Sequence, residues 1–254
     1  MLLLFANEAN HLFIRPKKMI KVLDIFCGAG GCSTGFHLAG FEVTGVDNAE
    51  QPNYPFTFVK SDFRDLSDNF INQYDLIHCS PCCQGFSSAT GKNKIKHIES
   101  MPFINICRQM FSHKPLIIEN VENSPLRKDL ILHGLMFGLK VIRARVFEFH
   151  NLPVPLAIYP ITLGQIKKMG LVKKGICLSV AGNGANKGQK SKLNGLENLS
   201  IIRNREIAMD ISWIKNGSYE KRLKEINNAI PYQYTKFIGE FLMQNYFIWQ
   251  SNQS

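Results

Sequence analysis

The chain has 254 residues, room for one large domain or a main domain with a smaller partner, and enough to bury a proper core. Hydrophobic content of 45% and charged content of 20% are globular values that exclude a disordered chain, and no apolar run is long enough to span a bilayer. The net charge of +10 points to a polyanionic partner.

The opening Met1-Leu2-Leu3-Leu4-Phe5 is short and lacks the basic flank of a signal peptide. Met19 stands immediately before the first clear strand, so residues 1–18 are expected to be an extension outside the fold. Lys21-Val22-Leu23-Asp24-Ile25-Phe26 is apolar and β-branched and runs into Cys27-Gly28-Ala29-Gly30-Gly31-Cys32-Ser33, after which a helical stretch ends at Gly40. Phe41–Asp47 and Thr57–Asp62 read as short strands, each closing on an aspartate. Leu76–Cys79 and Leu116–Glu119 continue the alternation, with a helix expected from about Pro102 to Ser112. Alternating strands and helices with continuously apolar strands predict a doubly wound, mostly parallel sheet covered on both faces.

From Asn151 onward the pattern degrades into prolines, lysines and glycines, and regular helical spacing returns at Phe237, Ile238, Phe241 and Leu242. Between Asn151 and Ile226 there are 13 Lys and Arg against 5 Asp and Glu, whereas the rest of the chain carries 17 against 15. The excess charge is thus confined to one segment, which makes nucleic acid the favoured partner over an ordinary solvated face. The expected organisation is a main domain from 19–150 and 227–254 with a small basic module at 151–226.

The glycine turn after the first strand lets backbone approach a ligand, and the following helix end offers amides to polar atoms, although the spacing is not the dinucleotide G-x-G-x-x-G. Asp47 is placed to accept from ribose hydroxyls and Asp62 from an adenine amino group, so a nucleoside-containing cofactor fits the three positions in order. Singly, each is as well explained as a cap or turn residue. Seven cysteines, at 27, 32, 79, 82, 83, 107 and 177, form an odd set without a framework, which argues for reduced thiols in a cytoplasmic setting. Cys79-x-x-Cys82 has no second pair nearby, and no metal is expected. The turn Ser80-Pro81-Cys82-Cys83-Gln84-Gly85-Phe86-Ser87 presents a thiol at a strand end. Read alone, it is as compatible with a packed cysteine as with a nucleophile.

Six stretches in order carry a resemblance to the DNA (cytosine-5)-methyltransferase family. Asp24-Ile25-Phe26-Cys27-Gly28-Ala29-Gly30-Gly31 resembles its S-adenosylmethionine loop, and Pro81-Cys82-Cys83-Gln84-Gly85-Phe86-Ser87 its nucleophile loop. Glu119-Asn120-Val121 is similar to the catalytic Glu-Asn-Val, and Arg143-Ala144-Arg145 to the Gln-x-Arg-x-Arg motif. Arg205-Glu206 and Asn228-Ala229-Ile230-Pro231 resemble the last two motifs. Cys82 stands where a second proline is usual, Val141 where glutamine is usual, and Asn227 where glycine is usual.

The resemblance implies a Rossmann-like S-adenosylmethionine-dependent methyltransferase acting on DNA, with transfer to carbon 5 of cytosine through a covalent Cys83 adduct on a flipped-out base. Cys83, Glu119, Arg143 and Arg145 are then the implied catalytic residues. Asp24, Phe26, Gly28, Gly30, Gly31, Asp47, Asp62, Pro81 and Asn228 would hold the cofactor, and Gln84, Ser87, Lys92, Lys94 and Arg205 would meet nucleic acid. About sixty residues separate the arginine motif from Arg205-Glu206, which implies a short target site. A monomer on DNA is the default, a restriction-enzyme partner is open, and methylation of a structured RNA or non-catalytic binding are the alternatives.

Overall fold

A computed structural model describes residues 19–82, 101–157, 163–180 and 192–247. The expected extension 1–18 and the candidate residues Cys83, Gln84, Ser87, Lys92 and Lys94 lie outside the described residues.

The expected strands form. β1 (Lys21–Ile25) is followed by α1 (Gly31–Leu38), β2 (Glu42–Asp47) and β3 (Thr57–Lys60). A 3-10 turn at Phe63–Asp65, α2 (Asp68–Ile71), β4 (Leu76–Cys79), α3 (Met101–Met110) and β5 (Leu116–Asn120) complete the alternating half. Next come β6 (Leu130–Leu132), β7 (Val141–Ile142), β8 (Arg145–His150), α4 (Leu163–Lys168) and β9 (Leu178–Ser179). The chain then makes α5 (Ile201–Met209), α6 (Tyr219–Asn228) and α7 (Tyr232–Leu242).

Seven strands make one sheet in the order β3-β2-β1-β4-β5-β8-β6, parallel from β3 through β5. β8 runs antiparallel to both neighbours, placing Glu119 opposite Phe147 and Leu132 opposite Arg145. This antiparallel strand is not evident from periodicity, because Arg143–Phe147 reads as a motif before it reads as a strand. The strand order reverses between β1 and β4, the place where an open α/β sheet leaves a crevice at its carboxyl ends.

The two sheet faces bury separate cores. One packs Val22, Leu76 and Phe147 beneath Phe36 of α1 and Tyr234, Ile238 and Leu242 of α7. The other packs Leu23, Ile77 and Ile118 against Ile104, Cys107 and Phe111 around α3. α7 returns 200 residues later to lie on α1, and two glycines allow it: a Cβ on Gly35 would stand 2.1 Å from Thr235 Oγ1, and one on Gly239 2.7 Å from Ala39 Cβ. Thr235 Oγ1 seals the contact by donating to the Cys32 carbonyl at 2.8 Å. A third core joins Val141, Leu178, Val180, Leu193, Ile202 and Ile226, and Ala29 from the glycine turn belongs to it. β7 and β9 pair in a separate two-stranded parallel sheet within that layer. No helix among the described residues is long and apolar enough to cross a membrane.

Candidate active site

The crevice opens above β1. Phe26 N and Cys27 N both donate to the Val46 carbonyl, at 2.9 and 3.2 Å, which turns the chain sharply and places Phe26 at φ +63. Gly28 and Gly30 follow at φ +49 and +86, a region open to glycine without steric cost. A Cβ on Gly28 would meet nothing within 4 Å, so open space lies in front of the turn. Asp47 at the end of β2 borders it: its Oδ2 accepts from Gly28 N at 3.1 Å and its Oδ1 from Ala49 N at 3.0 Å, leaving further lone pairs for hydroxyl donors.

Asp62 sits two residues past β3 and caps the 3-10 turn, and Arg64 grips its carboxylate through Nε at 2.9 Å and Nη2 at 2.5 Å. Those hydrogen bonds hold its pKa down at about 2, so it remains an acceptor at any working pH. Phe26 packs against Phe63 at 4.8 Å and Phe103 at 6.0 Å between ring centroids. Apolar ring faces between two acceptor carboxylates, beside a glycine turn with open space, fit an adenosine-bearing cofactor.

The residues expected to be catalytic lie on the adjacent strands. β4 and β5 are in register at Cys79 and Ile118, so the turn after Cys79 runs beside Glu119 and Asn120. Asn120 Nδ2 donates to the Pro81 carbonyl at 2.9 Å, tying the start of the thiol-bearing turn to β5. Glu119 is 4% exposed, and Arg145 Nε reaches its Oε1 at 2.8 Å. The two side chains project from neighbouring antiparallel strands, which holds the guanidinium against the carboxylate. Cys82 is exposed, whereas Cys27, Cys32, Cys79, Cys107 and Cys177 are buried. Burial pushes the thiols of Cys27, Cys32 and Cys79 well up, so they stay protonated and serve as packing.

Three expected site residues are turned elsewhere. Asp24 is fully buried beneath the turn, with Oδ1 bonded to His78 Nδ1 at 2.7 Å and Oδ2 to the Ser33 hydroxyl. It braces the glycine turn from below and is closed off from solvent. Arg143 is 3% exposed and donates from Nη1 to the Val180 carbonyl at 2.9 Å and from Nη2 to the Asn228 carbonyl at 3.0 Å. Its own carbonyl accepts from Tyr234 Oη at 2.8 Å, so it clamps the end of β9, the end of α6 and α7 together. Arg205, expected to meet nucleic acid, is 5% exposed and donates from Nη1 to Asn227 Oδ1.

That contact also explains Asn227 in place of glycine, since a side-chain acceptor there satisfies a buried arginine. Val141 in place of glutamine lies fully buried in the third core, where a polar amide would need partners of its own. Asn228 is exposed at the end of α6, and Ile230 presses its backbone against the start of α1, where a Cβ on Gly31 would come within 2.2 Å of its carbonyl oxygen.

Several residues at the site carry no motif. Phe103 joins the ring cluster from α3, Tyr54 Oη bonds Ser33 Oγ at 2.8 Å, and Trp213 Nε1 donates to the Ala29 carbonyl at 2.7 Å. Phe103 lies on the expected helix, and the only sequence signal of Tyr54 and Trp213 is an aromatic in an unassigned stretch. Among the described residues, no group of three or more His, Cys, Asp or Glu is placed to hold a metal ion.

Comparison with known proteins agrees with this geometry. Residues 20–128 match the family model described as C-5 cytosine-specific DNA methylase. The type II methyltransferase M.HindV of Haemophilus influenzae is 35% identical over 136 residues, 47% of this chain and 44% of the relative. The type II methyltransferase M.HgiGI of Herpetosiphon aurantiacus is 34% identical over 122 residues, 43% of this chain and 96% of the relative. M.FnuDI of Fusobacterium nucleatum is matched over 46% of its length, so the chain spans under half of two of these three curated relatives. Among solved structures, the S. pombe Dnmt2 methyltransferase superposes with TM-score 0.59 at 16% identity, covering 89% of this chain and 98% of that one. A Spodoptera frugiperda DNMT2 mutant superposes with TM-score 0.60 at 14% identity, covering 89% and 100%. The motif order, the sheet topology and the coverage of M.HgiGI converge: the chain belongs to the C-5 cytosine-specific DNA methylase family.

Proposed function

We propose that the protein transfers a methyl group from S-adenosylmethionine to carbon 5 of cytosine in DNA, with Cys83 as the attacking thiolate. The observation that carries this reading is the buried Glu119–Arg145 pair at 2.8 Å, set beside the Pro81 turn by the Asn120 hydrogen bond. Carbon 5 is a weak nucleophile, so a bond from sulfur to carbon 6 must first push electrons onto the ring. Glu119 holds and protonates ring nitrogen 3 as that charge arrives, and Arg145 fixes the carboxylate and steadies the developing charge. Bound S-adenosylmethionine supplies an electrophilic methyl group on a sulfonium centre. Once carbon 5 is methylated, a base removes its proton, the released electrons re-form the double bond between carbons 5 and 6, and the thiolate leaves with the carbon–sulfur pair. Among the described cysteines, Cys27, Cys32, Cys79, Cys107 and Cys177 are buried and Cys82 is exposed, which supports the Cys82-Cys83 turn as the reactive position.

Phe26, Asp47 and Asp62 hold the adenosine part in this reading, with the Gly28–Gly31 turn and Pro81 lining the methyl-bearing part and Asn228 at its rim. The basic module at 151–226 seats the duplex, largely through phosphates, so the target site is short. Gln84 and Ser87 close over the flipped base, and Lys92 and Lys94 meet phosphates. Within the same proposal the chain acts as a monomer, and a restriction enzyme of matching site is its expected companion, in line with relatives named as type II methyltransferases.

The test is a duplex carrying 5-fluorocytosine, which cannot lose a proton from carbon 5 and so traps the adduct. A covalent complex mapping to Cys83, lost in Cys83→Ser and kept in Cys82→Ser, is expected. Methyl label entering RNA and not DNA would overturn the substrate, and a Cys82 adduct would overturn the nucleophile.

A further inference from the structure

Two separate cofactor loops are fastened to one short segment. After β1, the Ala29 carbonyl accepts from Trp213 Nε1 at 2.7 Å, a contact across 184 residues. After β2, buried Asn53 meets the same segment with its whole carboxamide. Its Oδ1 accepts from Lys215 N at 2.9 Å and Asn216 N at 2.7 Å. Its Nδ2 donates to the Asn216 carbonyl at 2.9 Å and to Glu225 Oε2 at 2.6 Å. Asn216 Nδ2 returns a bond to the Pro52 carbonyl at 3.1 Å. All four hydrogen-bonding positions of the amide are filled, which no other residue type at 53 could reproduce.

Both fastenings end at the same peptide. Pro55 and Tyr54, which follow Asn53, lie directly on Gly30: a Cβ there would stand 2.8 Å from Pro55 Cδ and 3.1 Å from Tyr54 Cδ2. Because the Ala29–Gly30 peptide is planar, the pull of Trp213 on its carbonyl also aims its N–H, which donates to the Cys27 carbonyl at 3.0 Å. The segment itself is anchored between α5 and α6, where Arg222 donates from Nε to the Ile214 carbonyl at 3.2 Å and from Nη2 to Glu206 Oε1 at 3.2 Å.

We infer that residues 213–216 form a strap which sets the conformation of both cofactor loops, with Trp213 and Asn53 as positioning residues for S-adenosylmethionine binding. This inference rests on the cofactor reading above. Neither residue touches the reacting atoms, and each acts through the Ala29–Gly30 peptide. The strap lies between α5 and α6, inside the 151–226 segment, so the loop geometry depends on the part of the chain proposed to hold DNA.

Titration calorimetry with S-adenosylhomocysteine tests it, alongside melting temperature and separate KM and kcat for S-adenosylmethionine. Trp213→Phe keeps an aromatic side chain but removes the N–H donor along with part of the indole; it is expected to weaken binding at least about fivefold, the worth of one net hydrogen bond, and to raise KM with kcat nearly unchanged. Asn53→Ala should weaken binding further, and the double variant should lose less than the product of the two, since both act on one peptide. Tyr232→Phe, which removes a hydroxyl bonded to Asp210 and leaves the ring beside Trp213, should bind as the parent does. Parent protein that fails to bind S-adenosylhomocysteine would sink the cofactor reading. Parent binding with an unchanged Trp213→Phe constant would sink the strap alone, even if its melting temperature fell.

Discussion

Arg143→Met separates the two arginines of one motif. Arg143 contributes two hydrogen bonds from a charged donor, to the carbonyls of Val180 and Asn228, and both are lost without any change at Glu119. Bonds to charged groups contribute about 1.5–3 kcal/mol each, with the Asn228 bond at the wetter, weaker end, so the expected loss is about 3–5 kcal/mol. In a domain of this size each kcal/mol lowers the midpoint by about 2–4 °C, which gives a fall of about 10 °C. Circular dichroism melts check the stability, and adduct formation on 5-fluorocytosine DNA, run well below the midpoint, checks the chemistry. Arg143→Met should melt early and still form the adduct. Arg145→Met should leave Glu119 buried without its ion-pair partner and lower the adduct rate by about 100-fold or more. If Arg143→Met melted like the parent and formed no adduct, the clamp assignment would be wrong and Arg143 would belong to the chemistry.

Stability should fall on acidification through Glu148. Burial raises its pKa, but Arg108, the Arg127 amide and His150 outweigh that and hold it at about 2, against 4.5 for a free glutamate. A lowered folded-state value means the stabilisation is complete above about 4.5 and is lost as pH falls towards 2, worth about 3 kcal/mol in all. Urea melts from pH 5 to 2.5 should therefore show a steep decline that Glu148→Gln flattens; parallel slopes would refute the assignment. Gly35→Val should force α7 off α1, because a side chain there meets the Tyr232 carbonyl at 2.2 Å. A penalty above about 3 kcal/mol is expected from such overpacking, read as loss of the cooperative melt. Ser33→Ala should leave Asp24 bonded to His78 alone and loosen the turn, seen as weaker S-adenosylhomocysteine binding together with a loss of about 1.5–3 kcal/mol in the melt.

What could be read from the chain alone was whatever depends on neighbours in sequence. Continuous apolar runs set β1, β2, β4 and β5, glycines at 28 and 30 set a turn that only they adopt cheaply, and the order of six motifs set the family. Asp47 and Glu119 were legible because a strand end fixes where its last side chain stands. The direction of Asp24, Arg143 and Arg205 was not, because a charged side chain on a motif is drawn to whichever buried partner the fold brings near. His78 lies 54 residues from Asp24, Asn228 lies 85 from Arg143, and Asn227 lies 22 from Arg205. Trp213 and Asn53 had almost no signal, since apart from Glu225 their partners are main-chain groups, and a backbone carbonyl or amide leaves no trace in the residue that carries it. Tertiary structure decided those contacts by placing the segment between α5 and α6 over the loops of β1 and β2, where the first peptide of the cofactor turn needed a donor.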